Sequence, residues 1–291
     1  MELYTRLERF LGELPLTALA ETASRKADRP VPEVMEIFET FANETRATLR
    51  LVIDNLTPGQ RILEVGAGLC LFSSFLKQEG YDVVALEPAL GGYDLFEAAK
   101  EAVSSHFSRL ELQVLDCPAE ALNAEEHGRF DLIFSNNVIE HIPEWQKALT
   151  AMASVLAPGG CMRHTCPNYT VPYEPHYGVP VFRCWPGASR RLFASRINAN
   201  PGIWDSLNFL TSRQLLRQAE KTGLAIEFER EMLYSSLKRL DTDPEFRSRH
   251  RGIVLTIYKR LKVTGLLALI RHMPVSLTTP MTFTATKKEQ A

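Results

Sequence analysis

Between Arg61 and Cys166 short apolar runs alternate with helix-like segments, and that alternation leaves few folds open. RILEVGAG reads as a strand, and LFSSFLKQEG after it as a helix. DVVALEP is a second strand, followed by a helix through YDLFEAAKEAVSSHF. LELQVLD is a third strand with a short helix behind it, and FDLIFSNN is a fourth. The next helix carries Trp145, Leu149, Met152 and Leu156 at helical spacing, and GCMRHTC is a fifth strand. Strand–helix–strand repeats fold as right-handed crossovers onto a parallel sheet. The runs are rich in Val, Ile, Leu and Phe, as in a sheet covered on both faces.

Outside this stretch the pattern changes. Residues 1–32 read as a helix and a polar linker, Glu33 to Asn55 as a helix, and TPGQ at Thr57 to Gln60 as a turn. Pro167 to Phe209 is rich in aromatics and turn residues. A helix restarts at TSRQLLRQAEKTG, where Thr211 and Gln214 fit a capping box and Gly223 fits the end. LAIEFE and PMTFTAT alternate apolar and polar, the pattern of a half-exposed antiparallel edge pair. The expected organisation is a helical region over 1–56 and an α/β domain over 57–291. Its insertions fall at about 167–210 and 234–279, with no internal repeats.

Composition removes several classes. The chain has 291 residues, 45% hydrophobic and 23% charged, with a formal net charge of -2. No global field favours nucleic acid as a partner. Five cysteines without a CxxC pair point to reduced thiols and a cytoplasmic location. Charges interrupt the apolar runs of the N-terminal segment, unlike a signal peptide. No apolar run approaches the ~20 residues of a membrane span.

The first strand leads into a glycine turn. Gly66 and Gly68 allow a sharp turn and close backbone approach to a ligand, and the following helix offers its N-terminal N–H groups to an anion. Glu87 closes the second strand about 20 residues on, the spacing of a carboxylate that holds ribose hydroxyls. Glu64 stands two residues before Gly66, where it would face a cationic group. The run from Gly66 is GAGLCL, with Leu71 where a dinucleotide turn needs a small residue for helix–strand packing. That counts against a nicotinamide-dependent oxidoreductase.

The blocks LEVGAGLC, ALEP, LDCPAEAL, FDLIFSNNVIEHI and LAPGG, in this order, resemble the class I S-adenosylmethionine-dependent methyltransferases. They are most similar to the small-molecule branch that includes ubiquinone-biosynthesis-type enzymes. The resemblance covers roughly Gln60 to Cys166. It implies an α/β, Rossmann-like doubly wound sheet of seven strands, order 3-2-1-4-5-7-6, with the last strand antiparallel. It also implies S-adenosylmethionine as cofactor. Glu64 with the Gly66, Ala67 and Gly68 backbone would surround the methionine part, and Glu87 beside Pro88 would bind the ribose. Asp116 and Cys117 would meet the adenine. Asn136 would approach the sulfonium, and Asn137 the substrate. The departure is Cys70, where the family more usually has glycine. A small apolar side chain is expected to be tolerated in the helix's first turn, packed rather than reactive.

Methyl transfer from a sulfonium is an in-line displacement, so the protein mainly positions the acceptor and excludes water. A base is needed only where the acceptor loses a proton. Two stretches offer candidates. NNVIEHI supplies His141, against the plainer reading that it packs the next helix. The loop from His164 to Trp185 supplies Tyr173 and His176 for catalysis, and Tyr169, Glu174, Tyr177 and Trp185 for substrate binding. The alternative for that loop is a small satellite core. Cys161, His164 and Cys166 lack a second ligand pair, so no metal is expected. CPNY follows the fifth strand, not the fourth as in amino-directed DNA methyltransferases, so no nucleic acid is expected. Residues 253–274 read as a helix covering the sheet edge, with peripheral membrane contact as the minority reading. The expected partner is a small-molecule, glycan or lipid-linked acceptor. The competing reading is a non-catalytic cofactor-binding or partner-binding protein on the same fold.

Overall fold

Three helices precede the first strand: α1 (Glu2–Glu13), α2 (Leu16–Ala27) and α3 (Val31–Val52). The computed structural model describes residues 2–88, 94–242, 247 and 253–288. The alternating region follows as β1 (Arg61–Val65), α4 (Leu71–Gln78), β2 (Asp82–Leu86), α5 (Asp94–His106) and β3 (Gln113–Leu115). Then come α6 (Ala124–His127), β4 (Phe130–Asn136), α7 (Trp145–Val155) and β5 (Leu156–Cys166). Strand β5 begins four residues before the sequence pattern suggests, so LAPGG belongs to the strand.

Next are a short pair, β6 (Tyr173–Glu174) and β7 (Val179–Pro180), and the helices α8 (Pro186–Leu192), α9 (Ala194–Ile197) and α10 (Pro201–Ser206). Helix α11 (Ser212–Lys221), β8 (Leu224–Phe228), α12 (Met232–Thr242), α13 (Ile253–Val263) and β9 (Met281–Lys287) complete the chain. Of the insertion expected at about 234–279, residues 243–246 and 248–252 lie outside the described residues.

The main sheet has seven strands in the order β3-β2-β1-β4-β5-β9-β8. This is the expected 3-2-1-4-5-7-6 order, because β8 and β9 are its sixth and seventh strands. Strands β2 and β4 pair with β1 in parallel register, with Glu64 opposite Ala85 and Phe134, and β3 pairs in parallel with β2. Antiparallel pairing enters among the last strands. Glu229 N–H donates to Thr282 O at 2.9 Å, beside the alternating patterns of LAIEFE and PMTFTAT.

The chain divides into two compact units. The first comprises Met1–Ile139, Glu144–His164 and Ala285–Ala291. Its core joins Leu7, Phe10 and Leu11 of α1 to Phe38 and Leu49 of α3, to Phe75 of α4 and to Val103 of α5. Phe10 stacks on Phe107 with centroids 5.3 Å apart and tilts against Phe75 at 5.5 Å. Burying each such ring contributes about 1.5–3 kcal/mol, so the leading helices are integral to this core.

The second unit comprises Glu140–Pro143 and Thr165–Thr284. Its satellite core gathers Tyr169, Val179, Val181, Ile197, Trp204 and Leu207. Asn168, fully buried, ties its segments together. Its Nδ2 donates to Val275 O (2.7 Å) and Thr278 O (3.0 Å), and its Oδ1 accepts from Thr170 N (3.2 Å) and Ser212 N (3.1 Å). Such saturation is what makes a buried amide tolerable. Thr211 and Gln214 form the expected capping box on α11.

Candidate active site

The first unit builds its site at the carboxyl ends of β1, β2 and β4. Gly66 and Gly68 both have positive φ, +72° and +56°. A Cβ on Gly66 would collide with Val138, and one on Gly68 with the Phe41 ring. Both positions therefore need glycine for conformation and for space. Cys70 also lies in the left-handed region, at φ 59°, as the N-cap of α4 and outside its first turn. That is the conformation glycine usually fills. The side chain is buried against Ala67 and Ala85. Burial, then the nearby Glu64 and Glu87 charges, push its thiol up to about 12.

Two carboxylates flank this turn. Glu64, buried on β1, accepts a hydrogen bond from Ser73 Oγ of α4. Burial pushes its carboxyl up to about 8; the Ser73 bond opposes this and the Glu87 charge adds to it. Glu87 accepts from Gly68 N–H at 2.8 Å, which ties the turn to the end of β2. Burial raises Glu87 to about 7 against that bond and the Lys100 charge. At the end of β4, Asn136 Nδ2 donates to Glu44 Oε2 (2.7 Å) and Thr48 Oγ1 (3.3 Å). Asn137 Nδ2 donates to the same Glu44 oxygen at 3.3 Å.

The second unit gathers a different group. Asn208 holds the segment carrying Glu140 and His141: its N–H donates to Glu140 O (2.8 Å) and its Nδ2 to Ile142 O (2.9 Å). His141 Nδ1 lies 2.7 Å from Ser206 Oγ, which itself donates to Ile203 O at 2.8 Å. Ser206 has spent its proton, so His141 carries its own on Nδ1 and a lone pair on Nε2. Burial, then the His176 charge, lower His141 to about 4, against Glu174, so it is neutral near pH 7. His176 Nδ1 lies 2.6 Å from Glu174 Oε1, and Tyr169 Oη donates to Glu174 Oε2 at 3.0 Å. The two imidazole centroids are 5.2 Å apart.

The sequence profile of the family described as "Methyltransferase domain" matches residues 22–228, well over half of the chain. An uncharacterized protein of Mycobacterium tuberculosis is 32% identical over 271 residues, covering 90% of this chain and 91% of that protein. The chain belongs to the methyltransferase-domain family. It is a class I S-adenosylmethionine-dependent methyltransferase. A ubiquinone biosynthesis O-methyltransferase of Leptothrix cholodnii is 26% identical over 200 residues, covering 62% of this chain and 71% of that one. Among solved structures, phosphoethanolamine N-methyltransferase 2 of Haemonchus contortus is 18% identical with a TM-score of 0.47. That match covers 85% of this chain and just over half, 53%, of the other.

The methyltransferase's cofactor is S-adenosylmethionine, and the first unit's donors suit it. A glycine turn admits a close ligand, and two desolvated carboxylates suit a molecule with cationic and hydroxyl groups. Asp116 is exposed and Pro88 half-buried, while Cys117 Sγ lies 4.0 Å from His127 Nε2.

Of the residues expected on the acceptor side, Tyr169, Glu174, His176 and His141 are linked in one neighbourhood. Tyr173 is half-buried on β6. Tyr177 accepts from Trp204 N–H at 2.9 Å and donates to Asn200 O, so its hydroxyl works within the satellite core. Trp185 is 70% exposed. Glu44, Thr48 and Phe41 of α3, and Ser206 of α10, escaped the sequence reading. The available signal was Glu44 and Thr48 four apart, on one face of the helix.

Proposed function

We propose that this methyltransferase moves a methyl group onto an oxygen of a small-molecule, glycan or lipid-linked acceptor by in-line displacement. The single observation carrying the acceptor side is neutral His141, whose Nε2 lone pair is fixed by the Ser206 contact. A neutral imidazole presents a lone pair, not a positive charge, to the acceptor side. The relative from Leptothrix cholodnii, a ubiquinone biosynthesis O-methyltransferase, supports oxygen as the acceptor atom.

S-Adenosylmethionine supplies an activated methyl on sulfur. Glu64 and the glycine-turn backbone bind its methionine part, Glu87 its ribose hydroxyls, and Asp116 with Cys117 its adenine. Asn136 and Asn137, braced by Glu44, order the polar groups at the end of β4. His141, His176 and Tyr173 bind and orient the acceptor, with Glu174 and Tyr169 holding His176. Trp185 offers an apolar face to the acceptor.

Calorimetric titration with S-adenosylhomocysteine tests the cofactor assignments. Wild type should bind, and Glu87→Ala should bind at least tenfold more weakly, the ~1.4 kcal/mol worth of one charge-assisted hydrogen bond. Undiminished binding by Glu87→Ala would remove the ribose assignment. With an acceptor found by mass spectrometry, His141→Ala should lower kcat while leaving S-adenosylhomocysteine affinity intact.

A further inference from the structure

We propose that Glu140, His141 and His176 bind one divalent transition-metal cation, leaving coordination positions open for the acceptor. The Glu140 carboxylate and the two imidazoles each bring a ligand atom, and these atoms all lie within 4.8 Å of one another. Three ligands about 2.1 Å from one cation sit roughly 3–3.5 Å apart, so closure needs a contraction of about an ångström. The two imidazoles can supply it, because their side chains are 27% and 26% exposed while Glu140 is fully buried.

The surroundings of the rings favour ligation. Ser206 holds the His141 proton on Nδ1 and thereby aims the Nε2 lone pair toward Glu140. That nitrogen lies 4.0 Å from Glu140 Oε1, too long for a hydrogen bond. It is a spacing that a cation between the two would bridge. Glu174 Oε1 holds the Nδ1 side of His176 at 2.6 Å. A metal-ligating histidine ordinarily gives its other ring nitrogen to just such an oxygen partner. Here both rings have one, and Glu174 is itself fixed by Tyr169.

Two imidazoles and one carboxylate suit zinc, iron(II), cobalt(II) or manganese(II) better than magnesium or calcium. Three protein ligands also leave positions open, as in catalytic rather than structural sites. This deepens the methyltransferase reading and rests on it for its chemical consequence. The cation would lower the pKa of an acceptor hydroxyl. The proton then leaves to solvent water, the oxygen takes the methyl carbon, and the broken carbon–sulfur bond leaves a neutral thioether.

The test uses full-length, tag-free protein stripped with a chelator and titrated with Zn2+, Mn2+ and Co2+. Calorimetry and elemental analysis should give one cation per chain, and Co2+ should give a d–d absorption band. His141→Ala and His176→Asn should each weaken binding at least tenfold. Glu140→Gln should do the same, provided its thermal melt matches wild type. Exposed Cys184 is replaced by Ser throughout, to remove thiol binding. No stoichiometric cation, or equal affinity in the His141→Ala/His176→Asn double variant, would overturn the proposal. S-Adenosylhomocysteine binding by the stripped protein is measured alongside. S-Adenosylhomocysteine binding by protein that takes up no added cation sinks the metal site and leaves the methyltransferase reading intact. A cation bound without S-adenosylhomocysteine does the reverse.

Discussion

Cys70 shows how a residue can depart from a pattern and still serve its geometry. It holds a left-handed conformation that costs a non-glycine residue about 1–2 kcal/mol, and recovers a comparable amount by burying its side chain. Cys70→Gly should therefore change stability by less than about 1 kcal/mol, whereas Cys70→Val, β-branched in that conformation, should cost more than about 2 kcal/mol. Urea denaturation of the two variants decides it; equal losses would mean that the backbone conformation is unimportant here. A second expectation concerns Glu64 and Glu87, raised to about 8 and about 7 by burial. In the unfolded chain both ionise near pH 4.3, so between about pH 5 and about pH 8 the folded state holds more protons. Stability of the cofactor-free protein should then fall as pH rises through that window. Glu64→Gln should flatten the fall, and a slope unchanged by that substitution would place the cause elsewhere. At this scale Gly66, Gly68 and the position of Glu87 were legible, because spacing along one chain records them. The left-handed Cys70 and the Ser73 partner of Glu64 were not, because they depend on how α4 docks.

Among the elements, α3 departs furthest from its sequence reading. The pattern of Met35, Phe38, Phe41 and Leu49 marks an amphipathic helix, and the helix is there. What the pattern conceals is that Glu44 and Thr48 face Asn136 rather than water. Polar residues on a helix look alike whether they meet solvent or a binding site, so periodicity alone could not separate them. Glu44→Ala should loosen both asparagines and weaken S-adenosylhomocysteine binding about tenfold, the worth of one or two hydrogen bonds. Full affinity in that variant would reduce α3 to a packing element. The short pieces β6, β7, α8, α9 and α10 were equally illegible. Each is seven residues or fewer and is held by the satellite core and by Asn168, not by its own propensity.

For the whole molecule, the first five strands could be read from alternation alone, since each crossover packs on the sheet in one hand. The places of β8 and β9 came through family resemblance; nothing in LAIEFE or PMTFTAT says which lies at the edge. Division into two units was invisible, because it splits β5 and β9 partway along. Ligand binding should register globally. At a hundredfold excess over its Kd, S-adenosylhomocysteine should stabilise the fold by about 2.7 kcal/mol and raise Tm by roughly 5–10 °C. Differential scanning fluorimetry reads this directly, and an unmoved Tm at saturation would contradict binding to the folded state.

Strand β9 lies between β5 and β8, although it follows both in the chain. During synthesis the ribosome delivers six strands of the sheet before the one that joins the last of them to the rest. Until Met281–Lys287 emerges, β8 has no neighbour in that order to pair with, and one side of β5 stays open. The nascent protein thus carries a vacant slot from the emergence of β5 until that of β9. Chaperones would find that exposed edge, and loss of its final strand would leave the sheet unjoined, not merely shortened.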